Sequence, residues 1–74
     1  MHPSPCADLI AKAVTYLSQQ TAAWDRPHLA EVLRRPAIKA HVAHIEAAAL
    51  QGDARACAAA CRAYWHSVLQ EKTP

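Results

Sequence analysis

Gly52 is the only glycine in this 74-residue chain. It stands between Gln51 and Asp53, with long helix-forming stretches on either side. Glycine takes the left-handed conformation that closes a helix, and aspartate caps the start of the next one. The stretch 35–69 therefore predicts two amphipathic helices folded back on each other. So short a connection makes them antiparallel neighbours. The expected fold is all-α: a small four-helix bundle, three helices long and one short, built on this helix 3–helix 4 hairpin. The expected spans are about 5–20, 26–34, 36–51 and 54–71, in one domain.

Composition agrees with helix. Alanine is the commonest residue and phenylalanine is absent. Alanine is the best helix former and glycine among the worst. No alternating β-branched run of strand length appears, which argues against a sheet. A chain of this size buries roughly 60% of its unfolded surface, so the core is thin and leaves little room for an enclosed active site. The heavy use of alanine, arginine, proline and histidine suggests a GC-rich bacterial source.

The first helix begins at Ser4-Pro5, a cap followed by a proline at the first helical position. Asp8 suits the positive end of the helix dipole. Leu9, Ile10, Ala13, Val14, Tyr16 and Leu17 share one broad face. Asp25 is the next expected cap, with Trp24 and Leu29 at the two positions of a hydrophobic staple. Leu29, Val32 and Leu33 form the apolar side of the short second helix. Pro36 forces Arg35 out of helical geometry and opens the third helix after a break. There Ile38, Val42, Ile45 and Ala49 make a narrow apolar stripe, with Ala40, Ala43 and Ala47 opposite. The fourth helix shows three sectors. Cys57, Cys61, Tyr64, Trp65, Val68 and Leu69 are its large face. Ala56, Ala59, Ala60, Ala63 and Ser67 are a small stripe, and Arg55, Arg62, His66 and Gln70 a polar edge. The expected core is Leu9, Ala13, Leu17, Leu29, Leu33, Ile38, Val42, Ile45, Cys57, Cys61, Tyr64, Trp65 and Val68.

Net charge is +2, with a pI of 8.6. That is less basic than nucleic-acid domains usually are. No apolar run approaches the ~20 residues of a membrane span. The N-terminus lacks a signal-peptide pattern, and an odd count of three cysteines fits a reducing compartment. The expected location is the cytoplasm.

Several residue sets carry the side-chain chemistry of a site. Cys57 and Cys61 on one helix, and His41 and His44 on its antiparallel neighbour, offer the donor types of a tetrahedral zinc centre. His41, Cys57 and Cys61 would be its members. Yet both cysteines sit among core residues, while His41 lies at the margin of its stripe and His44 well round toward solvent. The expectation is buried thiols and surface histidines, with no metal and no cofactor. A Cys57–Cys61 disulfide is disfavoured because their Cβ vectors diverge within a helix. Cys6, in a first helical turn, falls in the apolar sector, so burial is expected. No nucleophile elbow, phosphate loop or HExxH motif occurs, and no carboxylate pair stands out. The expectation is a non-enzymatic chain.

Two functional readings follow. The first is a protein–protein interaction or accessory module, with self-association into a homodimer as one version. Its contact residues would be Ala56, Ala60 and Ala63, a ridge allowing close helix approach, with Trp24 and Trp65 as anchors. The second is a DNA- or RNA-binding domain that uses Arg34, Arg35 and Lys39 around the second break, with Arg55 and Arg62 on the edge of the fourth helix. The exposed alanines of the third helix offer little to read base edges, so such binding would rest on phosphate contacts.

Overall fold

The computed structural model describes residues 5–72. Among them are four helices and no strand: α1 (Pro5–Gln20), α2 (Arg26–Arg34), α3 (Pro36–Gln51) and α4 (Ala54–Leu69). Ser4, the expected first cap, and the last two residues of the tail lie outside the described residues.

The U-bend forms as the sequence predicts. Gly52 has φ 68° and ψ 22°, in the left-handed region. Its N–H donates to Ala49 O at 3.1 Å, and the Asp53 N–H donates to Ala48 O at 3.3 Å. These two bonds make a Schellman closure and satisfy carbonyls that the end of α3 would leave bare. Asp53 then caps α4, its Oδ1 accepting from the Ala56 N–H at 3.1 Å.

Asp25 behaves differently. It sits at the N-cap position of α2, but its side chain makes no capping bond. An N-cap side chain bonds the N–H of the second or third helical residue. Here the second is Pro27, which has no N–H, so half of the usual target is missing. The break between α2 and α3 is a single residue. Arg35 is extended, with φ −65° and ψ 140°, as a residue before proline prefers. At the end of α1, buried Thr21 sends its hydroxyl to Leu17 O at 2.8 Å.

The helices form two layers. Both α1 and α3 lie on α4, and they touch each other only slightly. The molecule measures 41 × 22 × 16 Å. One core cluster holds Cys6, Ala13, Ala48, Cys57 and Cys61; the other holds Leu17, Val32, Ile38 and Val68. Trp65 packs against both and joins them.

Several expected core or apolar-face positions are exposed. Val42 is 38% exposed, Leu33 37%, Val14 56% and Tyr16 40%. The reason is the same for Val14 and Val42: α1 and α3 share α4 as a neighbour without closing on one another, so their facing flanks stay open. Leu33 lies on a nine-residue helix too short to be covered from both sides. Tyr16 rests on the edge of Trp65, with ring centroids 5.0 Å apart. Ala48 is buried instead, where the chain needs a small residue: Cys6 Sγ lies 4.0 Å from its carbonyl oxygen. The helix α4 stops at Leu69, two residues short of expectation. There the Glu71 N–H turns back to Val68 O at 3.0 Å. No described helix is long and apolar enough to cross a membrane.

Candidate interaction surfaces

The alanine stripe of α4 is not open along its whole length. Ala56 packs against the first core cluster, and Ala60 is half-buried. Ala63 is exposed; with Ala59, Arg62 and His66 it lines a shallow dent on the outer side. Ala56 and Ala63 are two helical turns apart on the same side of α4, so their place along the helix decides: the stripe is packed at the Ala56 end and open at the Ala63 end. The two tryptophans are half-buried. Trp24 packs on the second cluster and lies beside His28, ring centroids 5.7 Å apart. Trp65 is the joint between clusters, so both are largely engaged within the chain.

The basic residues divide as well. Arg35 is held by two carboxylates, Glu31 at 3.2 Å and Glu71 at 2.7 Å. The bond to Glu71, then that to Glu31, raises its guanidinium pKa further above its ordinary value. Arg34 Nε donates to Ala30 O at 3.2 Å. Lys39, Arg55 and Arg62 have no ion partner among the described residues. The double pairing of Arg35 also ties the segment after α4 to the α2–α3 elbow, and His28 Nε2, near the start of α2, bonds the carbonyl of Glu71. Sequence reasoning found no carboxylate pair because Glu31 and Glu71 meet only through Arg35, 40 positions apart in the chain. An acidic residue four before an arginine was the one visible signal.

His41, Cys57 and Cys61 do not form a site. The three thiols gather between α1 and α4, with Cys57 Sγ 3.8 Å from Cys6 O. Burial pushes the thiol pKa of Cys57 and of Cys61 up. His41 is turned to Ser67, with Nε2 and Oγ 2.9 Å apart. No group of three or more His, Cys, Asp or Glu among the described residues is placed to hold a metal. The His41–Ser67 pair has the reach of a base and a nucleophile, but catalysis needs more. No carboxylate bonds His41 among the described residues, and its aromatic neighbour is His44, edge-on at 6.4 Å. Ser67 sits inside α4, whose N–H groups are spent on the helix, so no oxyanion donors face it. The pair works as a strut between α3 and α4.

One surface was not anticipated. Between α1 and α3 runs an apolar groove of about 350 Å³. Ile10 and Val14 form one wall, Val42, Ile45 and Ala49 the other, with Glu46 at the rim; Tyr64 of α4 is part of the lining. Desolvation raises the pKa of the Tyr64 phenol. The sequence held a signal for it. The apolar face of α1 is broad, wider than one neighbouring helix can cover. Leu50, one turn beyond Glu46 on α3, is 89% exposed. No protein-family model, curated protein or solved structure matches this chain.

Proposed function

We propose that this chain is a small, non-enzymatic protein–protein interaction module of the cytoplasm, and that it docks a helical protein surface in the α1–α3 groove. The observation that carries the reading is the exposure of Val14 and Val42 on facing walls of one apolar trough. Two helices that diverge as they lie on a third leave a groove over which another helix can lie, and apolar helix faces are recognised in such grooves. The alanine ridge, split by the packing of Ala56, supplies at most an edge to such a contact. Trp24 and Trp65 act from within, holding the helices that form the walls.

Comparative capture tests this. The intact chain and a Val14→Asp/Val42→Asp variant are used as baits in host extract, with cross-linking and mass-spectrometric mapping of the contact. The expected cross-links run to α1 and α3 and vanish with the variant. Capture that survives the two charges, or that maps to the outer side of α4, contradicts the reading.

A second reading rests on Arg55, Arg62 and His66. They lie along the exposed side of α4, with neither arginine neutralised. Such a line suits phosphates, while Arg35, committed to Glu31 and Glu71, contributes little. Absence of binding to duplex and single-stranded DNA or RNA at low salt removes this reading, since phosphate contacts are strongest there.

A further inference from the structure

We propose that the open α1–α3 face pairs with the same face of a second copy of this chain, about a two-fold axis that crosses α3 near Val42. The inference rests on the docking role of the groove and adds the identity of the partner. Lys39 precedes Val42 by three residues, and Glu46 follows it by four. Seven residues make two helical turns, so both charges lie on the same side of α3, at the groove edge. Glu46 lines the rim, and neither residue has an ion partner among the described residues.

Opposite charges at nearly equal distances from a centre are self-complementary under a two-fold rotation. With the two α3 helices antiparallel, Lys39 comes opposite Glu46 of the partner subunit, and the reverse pair forms on the other side. A parallel arrangement would set lysine on lysine and glutamate on glutamate, which costs free energy. The same rotation lays the Ile10–Val14 flank of α1, beside α3, on the open face of the other copy. That flank carries no charge in the groove lining, so it accepts any apolar partner, whereas α3 fixes the register. Two 16-residue helices side by side present a face roughly 24 Å long and 20 Å wide. That is about 500 Å², below the roughly 800 Å² per partner of standard stable interfaces. The dimer is therefore reversible, in exchange with monomer.

The test is sedimentation equilibrium of the untagged full chain over a wide concentration range, with helical content checked for each variant. The expected result is a mass that rises from one chain to two, with the association weakened by added salt. Lys39→Glu and Glu46→Lys each weaken it at least tenfold, and the double variant Lys39→Glu/Glu46→Lys restores it. A strict monomer at every concentration overturns the self-pairing and leaves the docking role to its own capture test. A dimer lost with Val42→Asp but not restored by the charge swap overturns the antiparallel register while keeping the groove as the interface. A dimer indifferent to Val14→Asp and Val42→Asp lies on another surface and overturns the self-pairing, while the docking role stands or falls by capture.

Discussion

Beyond Gly52 itself and its two chain neighbours, no atom lies within 4 Å of where a side chain there would begin, so the cost of replacing this glycine lies in its dihedral angle. A residue with a Cβ at φ 68° is strained by about 1–2 kcal/mol. Gly52→Ala should lower stability by about 1 kcal/mol, and the melting temperature by roughly 4–8 °C for a domain of this size. Thermal unfolding followed by circular dichroism checks this; an unchanged midpoint would mean that the bend does not depend on the left-handed residue. The thiols make a second prediction at this scale. Cys57 and Cys61 hold their protons to higher pH in the folded chain than in the unfolded one, because burial disfavours the thiolate. A raised folded pKa gives stability that is complete below the unfolded value and lost as pH climbs toward the folded one. Urea midpoints should therefore hold steady in this respect up to about pH 8.5, the ordinary thiol range, and fall above it. Replacing both cysteines by alanine should flatten that alkaline slope, whatever it does to stability at neutral pH.

Among the elements, α4 is the one both long neighbours pack upon. Val68 is fully buried on it, in the same cluster as Val32 and Ile38. Val68→Ala removes two methyl groups from a tight site and should cost roughly 2 kcal/mol in urea unfolding. Val14→Ala, on an exposed flank, should leave the monomer within about 0.5 kcal/mol of the parent. The chain end behaves as a latch: Arg35→Ala frees Glu71 from the elbow, and hydrogen exchange should quicken at Gln70 and Glu71 while the Cys57 and Cys61 amides stay protected. Elements of this kind were readable from the sequence where local chemistry decides them. Gly52 and Asp53, the proline after Arg35, and the three-and-four spacing of Ile38 and Ile45 act within a few residues of themselves. What the sequence hid depends on how helices lie against each other. Val42 shares a stripe with Ile38, yet one is open and the other buried, because α1 does not close over that flank of α3. Ala48 belongs to no face that the sequence singles out, and it is buried because Cys6 approaches its backbone. The exposed groove and the Glu31–Arg35–Glu71 node needed three dimensions for the same reason.

Taken whole, the molecule is two helices laid on a third, with α2 as a short strap across one end. Three long helices bury what lies between each pair that touches, and α1 and α3 hardly touch. The interaction reading depends on that open seam. The chain's four valines report on it directly, since Val32 and Val68 are fully buried, whereas Val14 and Val42 stand on opposite walls of the seam. The decisive measurement is methyl NMR of the valine-labelled full chain with a soluble paramagnetic agent, at low and at high protein concentration. The account predicts strong relaxation of the Val14 and Val42 methyls in dilute solution and protection of both when concentrated, with Val32 and Val68 shielded throughout. Val14 and Val42 shielded even in dilute solution would mean that α1 and α3 close on each other; relaxation unchanged at every concentration would mean that no second copy covers the seam.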